Sequence, residues 1–169
     1  MLGDLVEFFN LYRATTQHLV ALFLAGAIWR WGGGPERWLI GTFLATMVIP
    51  IYVIQWLSLG SFEVATYWSL AFVVDVIAAS LFTAIALQAN RNYPLWIAGF
   101  QLVALGGHMA ETLLDGISPL ALAILVIGPS YCQLFAMLVG FGRHRQRERR
   151  FGAYRDWRPS APGLRSLRA

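Results

Sequence analysis

Lysine is absent from this chain, and charge of either sign is scarce. All 13 basic residues are arginine, and charged residues make up 13% of the sequence, against about 25% in an ordinary soluble domain. Because a water-exposed surface needs more charge than this, the composition argues against a soluble globular protein. We read the exclusive use of arginine as a codon effect of a GC-rich bacterial genome.

Cysteine and catalytic motifs are also nearly or wholly missing. The single cysteine, Cys132, excludes an internal disulfide. The sequence has no Gly-x-Ser-x-Gly elbow, no His-Glu-x-x-His and no paired Cys-x-x-Cys. The glycine run at 32–34 is followed by Pro35 and lacks the lysine of a phosphate-binding loop, so it reads as a linker. These absences favour a protein without enzymatic activity.

Long apolar runs are what the chain has in abundance. Hydrophobic residues make up 57% of the sequence, and the mean hydropathy is +0.56. A helix needs about 20 apolar residues to cross the hydrocarbon core of a bilayer. We therefore predict an all-α fold, a kinked five-helix transmembrane bundle with spans at 15–31, 37–59, 63–89, 94–114 and 119–141.

Two segments flank the predicted bundle. Residues 1–14 have the pattern of an amphipathic helix that lies in the membrane interface. Residues 142–169 hold nine of the 13 arginines and end in a stretch rich in proline, serine and glycine, which predicts a partly disordered tail. Because polar residues interrupt the first span, a second arrangement stays open, with four spans and an N-terminal interfacial helix.

The distribution of arginine predicts the orientation. With five spans, Arg30, Arg37, Arg91 and the arginine-rich tail fall on one side. The other side has Arg13 as its only arginine, together with a set of acids: Asp4, Glu7, Glu63, Glu111 and Asp115. Loops rich in arginine stay in the cytoplasm. We therefore predict a multi-pass protein of the bacterial inner membrane, with its N-terminus outside and its C-terminus in the cytoplasm.

Polar side chains inside the apolar runs are the candidate functional residues, because a charge at the bilayer centre costs about 2.5–3.5 kcal/mol. Asp75 lies near the centre of the third span. Gln101, His108, Glu111 and Asp115 share one stripe of the fourth span. Together they predict a polar intramembrane seam, which either carries a proton or an ion or fixes the packing of the helices.

Two histidines give a second hypothesis. His18 and His108 fall at comparable depth on different spans, as axial haem b ligation or a small metal site requires. No other ligand motif accompanies them. We therefore expect no cofactor and no metal, with haem b or a metal ion held by His18 and His108 as the alternative.

Two prolines and a basic cluster complete the pattern. Pro50 and Pro129 lie inside the second and fifth spans, where proline removes a helical hydrogen bond and predicts a kink. Basic residues beside a span set its topology and attract anionic lipid headgroups. In a membrane bundle this role is preferred over nucleic-acid binding. The cluster consists of Arg143, Arg145, Arg147, Arg149 and Arg150.

These observations predict a non-enzymatic scaffold, anchor or accessory subunit of a membrane complex. Its expected partners are the bilayer and other membrane proteins or a second copy, because small residues such as Ala21 and Ala25 allow close helix packing. The first alternative is transport of protons, ions or a small solute through the seam around Asp75 and His108. The second is a redox protein that binds haem or metal through His18 and His108.

Overall fold

The computed structural model describes residues 2–56, 64–113, 118–152 and 155–158. Within these ranges the chain is helical and without strands, which confirms the all-α prediction, and the one extended pairing is an isolated bridge between Ala89 and Trp157. The helices are α1 (Leu2–Trp31), α2 (Gly34–Phe43), α3 (Ile49–Trp56), α4 (Val64–Gln88), α5 (Tyr93–Leu113) and α6 (Pro119–Phe151), and a π-helical turn, Leu44–Val48, joins α2 to α3.

Three helical stretches in the described part of the chain are long and apolar enough to cross a membrane: Gly34–Ile54, Ser69–Gln88 and Ile124–Phe151. Helices α1 and α5 are also long, but polar residues lower their mean hydropathy. Large apolar side chains lie on the outside of the bundle, among them Phe23, which is 79% exposed, and Phe135, which is 68% exposed. Such a surface suits lipid better than water.

An apolar core holds the helices together in the half of the bundle nearer the arginine-rich tail. Helix α5 is central and packs against both α4 and α6. Small residues allow this closeness: a Cβ on Gly140 would lie 2.6 Å from the Tyr93 ring, so only glycine lets that ring lie against α6. The buried members of the core include Ala21, Leu24, Ile28, Leu39, Ile40, Phe43, Ala78, Phe82, Ile97, Leu134 and Met137.

Each proline that was predicted to kink a helix has a hydroxyl-to-carbonyl hydrogen bond close to it. Next to Pro50 the backbone widens into the π-helical turn, where the amide of Ile49 donates to the carbonyl of Leu44. The hydroxyl of Thr46 donates to the carbonyl of Thr42 at 2.8 Å. Pro129 lies inside α6, and the Ser130 hydroxyl next to it donates to a carbonyl of the same helix. Neither acceptor is the carbonyl four residues before the proline, which belongs to Thr46 for Pro50 and to Leu125 for Pro129.

The arginine-rich segment continues α6 and then folds back. Helix α6 ends at Gly152, whose φ of +75° is a left-handed conformation that glycine adopts at little cost. Asp156 and Trp157 then pack on the α1–α2 loop, where a Cβ on Gly34 would lie 2.8 Å from Trp157 Nε1. The glycine run is thus a packing surface as well as a linker. The tail from 159 onward lies outside the described residues.

We call this arrangement the tail clasp: Asp156 and Trp157 with their contacts to the α1–α2 loop and to the α4–α5 turn. The amide of Gly34 donates to Asp156 Oδ2 at 2.8 Å. On the other side, the backbone amide of Asn90 donates to the carbonyl of Asp156 at 3.1 Å. The backbone amide of Arg158 donates to the carbonyl of Gln88 at 2.8 Å. The clasp therefore joins two connections that are far apart in sequence.

Candidate functional site

A cavity of about 450 Å³ lies between the helices at the end of the bundle away from the tail clasp. This volume is within the range of about 300–1,000 Å³ that is usual for ligand pockets. Its walls are mainly apolar and come from α1, α3, α4, α5, α6 and the π-helical turn. The polar groups that line it are Arg13, Gln17, His18, Thr46, Asp75, His108, Ser130 and Tyr131.

Asp75 is the acidic group of this cavity, and both of its carboxylate oxygens are engaged. The side chain of Gln101 donates from Nε2 to Asp75 Oδ1 at 2.8 Å. His108 Nε2 lies 2.9 Å from Asp75 Oδ2. All three residues are buried. Helix α4 supplies the acid and α5 supplies both partners, since Gln101 and His108 are seven residues apart and share one face.

The hydrogen-bonded network continues from Gln101 to α6. Gln133 Nε2 donates to Gln101 Oε1 at 2.8 Å and to the carbonyl of Ile97 at 3.3 Å. The amide of Gln101 therefore has a fixed orientation, with its nitrogen toward the acid and its oxygen toward α6. We call the resulting network, His108–Asp75–Gln101–Gln133, the polar chain.

The polar chain can hold an exchangeable proton at one end only. Asp75 and His108 are both titratable groups, and a pair that carries one positive and one negative charge, or none, avoids the cost of a lone buried charge. The amides of Gln101 and Gln133 donate hydrogen bonds but do not titrate. The proton-exchanging side chains of the polar chain are therefore Asp75 and His108, and Gln101 orients the carboxylate.

His18 lies in the same cavity, on α1. Its Nδ1 is 3.2 Å from the hydroxyl of Tyr52, and the two rings meet edge to face with their centroids 5.4 Å apart. Next to it, Gln17 Nε2 donates to the Ser130 hydroxyl at 2.8 Å, which ties α1 to α6. These contacts close the cavity on the side of α1.

The two histidines of the ligand hypothesis therefore share one cavity. Each uses a ring nitrogen in a side-chain contact, His18 with Tyr52 and His108 with Asp75. Among the described residues, no group of three or more histidine, cysteine or acidic side chains is arranged to hold a metal ion. Haem or metal binding by His18 and His108 stays a prediction.

The residues of the predicted seam have different outcomes. Asp75, Gln101 and His108 come together in the polar chain. Glu111 is part of α5, but its side chain lies outside the described residues, as does the whole of Asp115. Gln133 also belongs to the polar chain, although it was not predicted to be part of the seam. Its amide side chain within an apolar run was the sequence signal that could have identified it.

A second buried polar cluster lies at the tail end of the bundle. Arg91 forms ion pairs with Glu36 and Asp156. The Tyr93 hydroxyl donates to Glu36 Oε1 at 2.9 Å, and Glu36 is only 1% exposed. The sequence gives little signal for this cluster, because Glu36 and Arg91 lie in or next to turns, where charged residues usually face solvent.

No protein-family model, curated protein or solved structure matches this chain. The fold and the site define its class: an all-helical protein with helices that can cross a membrane and with a partly polar cavity at one end.

Proposed function

We propose that this protein is a membrane transporter of protons, ions or a small solute, with Asp75 and His108 as its proton-carrying pair. The observation that carries the proposal is a cavity whose lining includes a buried aspartate and histidine 2.9 Å apart. Ionisable groups inside a membrane bundle are expensive and usually mark a proton or substrate pathway. The mainly apolar walls suit a small solute with an apolar part.

The packing of the small residues favours transport over a scaffold role. The scaffold hypothesis depends on small residues that face a partner. Ala21 is fully buried and Ala25 is 8% exposed, and both belong to the apolar core. Gly140 contacts Tyr93 within the same chain. These small faces are therefore used inside the bundle.

Alternating access is the mechanism that this architecture supports. The cavity lies at one end, the Glu36–Arg91–Asp156 cluster lies at the other, and the apolar core separates them. A solute could pass only if the helices moved apart around that core. The π-helical turn beside Pro50 lines the cavity through Thr46, and π-helical turns are frequent at functional sites.

The proposed placement in the membrane has five spans. Helices α1 and α5 would cross as well as the three apolar stretches, because the polar residues that lower the hydropathy of α5, Gln101 and His108, are turned toward α4 and α6 and not toward lipid. With the arginine-rich tail in the cytoplasm, the cavity would face the outside of the inner membrane.

Proton flux into liposomes tests the proposal. Purified protein is reconstituted with a pH-sensitive dye inside, and a potassium diffusion potential drives protons inward. Asp75→Asn should lower the protein-dependent rate by about tenfold or more, since loss of a positioned proton-transfer group typically costs 10²–10⁴-fold. His108→Ala should also lower it. The control is Glu148→Gln, an acid-to-amide change outside the cavity. Equal rates in wild-type and Asp75→Asn liposomes would contradict the proposal.

The other two functions remain testable on the same preparation. A scaffold should run as a complex or recover a specific partner on crosslinking, whereas a strict monomer without partners argues against it. A haem protein that uses His18 and His108 should have a Soret band in its visible spectrum. If the band is absent from protein purified together with any cofactor that it binds in the cell, the haem hypothesis is wrong.

A further inference from the structure

We propose that a groove between the start of α5 and the arginine-rich end of α6 binds the phosphate of an anionic phospholipid headgroup. The groove encloses about 630 Å³ and is separate from the cavity that contains Asp75. We call it the arginine groove. Its main polar and aromatic lining residues are Asn90, Asn92, Trp96, Arg143, Arg147 and Arg150.

Three arginines present their side chains to the same groove because of their helical spacing. Arg143, Arg147 and Arg150 are four and three residues apart on α6, so they form one face of the helix. A guanidinium group donates paired hydrogen bonds that match the oxygens of a phosphate. Several such groups around one concave surface favour a phosphate over a carboxylate of lower charge.

The charged side chains in the described lining of the groove are arginines. Among the described residues, its lining contains no aspartate or glutamate. Arg91 also lines it, but Glu36 and Asp156 already neutralise that guanidinium. The acid of this part of α6, Glu148, accepts a hydrogen bond from Arg145 at 2.9 Å and does not line the groove.

The position of the groove identifies a lipid as the source of the phosphate. Tyr93 and Trp96 lie at the start of α5 and line the groove, and Trp96 is 68% exposed. Tryptophan and tyrosine concentrate at the level of the headgroups. Beyond this level the outer faces of α5 and α6 are apolar, with Leu102 and Phe135 exposed. Acyl chains could therefore lie along the helices while the headgroup enters the groove.

Lipid titration by native mass spectrometry tests the site. The full chain in detergent is titrated with phosphatidylglycerol, and phosphatidylcholine serves as the zwitterionic reference. The groove variant is Arg143→Gln with Arg147→Gln. The matched control is Arg145→Gln with Arg149→Gln, which removes the same charge from the opposite face of the same helix. Thermal unfolding shows whether each variant is still folded.

The expected result is tighter binding of phosphatidylglycerol than of phosphatidylcholine, with affinity for the former about tenfold weaker in the groove variant and nearly unchanged in the control. Equal weakening in both variants would mean a diffuse electrostatic attraction and would overturn the site. A second titration uses inorganic phosphate as competitor. Displacement of the lipid by inorganic phosphate at concentrations similar to those of the lipid would assign the groove to a free anion and overturn the lipid assignment.

Discussion

Gln101 connects an acid on α4 to an amide on α6 by using both ends of one side chain. Its nitrogen donates to Asp75 and its oxygen accepts from Gln133. Because all three residues are buried, removal of the central amide leaves Asp75 Oδ1 without its donor and leaves Gln133 Nε2 with only the carbonyl of Ile97 as acceptor. The stability of the bundle should therefore be sensitive to this single position.

We predict that Gln101→Leu lowers the free energy of unfolding by about 1–3 kcal/mol for each group left unsatisfied. The measurement is denaturant unfolding in mixed micelles. Gln88→Leu is the matched control, because the side chain of Gln88 is exposed and surface substitutions usually change stability by less than about 0.5 kcal/mol. A similar loss in the two variants would mean that the polar chain contributes nothing specific.

A second residue-scale prediction concerns Gly34. In Gly34→Ala the new Cβ would lie 2.8 Å from Trp157 Nε1, and overpacking of this kind costs about 1–3 kcal/mol. The tail clasp should therefore open more often, and trypsin should cleave after Arg155 about tenfold faster or more. In the control, Gly41→Ala, the added Cβ meets no atom within 4 Å, so cleavage should keep its wild-type rate. Equal cleavage rates in the two variants would contradict the packing of Trp157 on Gly34.

Most members of the polar chain could be predicted from the sequence, but the contact between Gln101 and Gln133 could not. Asp75 is an acid in an apolar run, and the spacing of Gln101 and His108 places them on one face of a helix. The register between helices decides the rest. Gln133 meets Gln101 because α5 and α6 approach at one relative height, which depends on interhelical packing and not on the periodicity of either segment.

At the scale of elements, the stretch from Gly34 to Trp56 has the most unusual geometry. Breakers such as Pro35 and Pro94 predict where helices begin, and the structure has helices starting at or next to them. The kink at Pro50 stays a prediction. The π-helical turn beside it was not predicted, because widening of the helix depends on how Thr46 and its neighbours pack against other helices.

We predict that Pro50→Ala restores regular α-helical bonding and turns Thr46 away from the cavity. The reporter is Thr46→Cys in a Cys132→Ser background. When Pro50→Ala is added, this cysteine should react severalfold more slowly with a small water-soluble thiol reagent. Pro129→Ala is the control, because α6 remains α-helical through its proline and Pro129 does not line the cavity. Unchanged labelling after Pro50→Ala would mean that the π-helical turn does not depend on the proline.

At the scale of the whole molecule, the two ends of the bundle differ in charge and in shape. One end has the cavity, and the other has the tail clasp and the arginine groove. The five-span and four-span arrangements both place the tail in the cytoplasm. They differ in the side on which the start of α1 lies, so a single topology measurement separates them.

We predict that Ala14→Cys, in a Cys132→Ser background, reacts with a membrane-impermeant maleimide in intact cells. Gln146→Cys should react only after the membrane is permeabilised. Both positions are exposed, so access to reagent depends on the side of the membrane, which the arginine bias sets. If both cysteines needed permeabilisation, the four-span arrangement would be correct.

The position of the tail clasp in the sequence has a consequence for biosynthesis. Membrane helices insert while the chain is being made, and the α1–α2 loop and the α4–α5 turn emerge long before Asp156 and Trp157. The two connections are therefore not joined until Asp156 and Trp157 have been synthesised. A premature stop codon just after α6 would remove Asp156 and Trp157, and with them the contacts that join the α1–α2 loop to the α4–α5 turn.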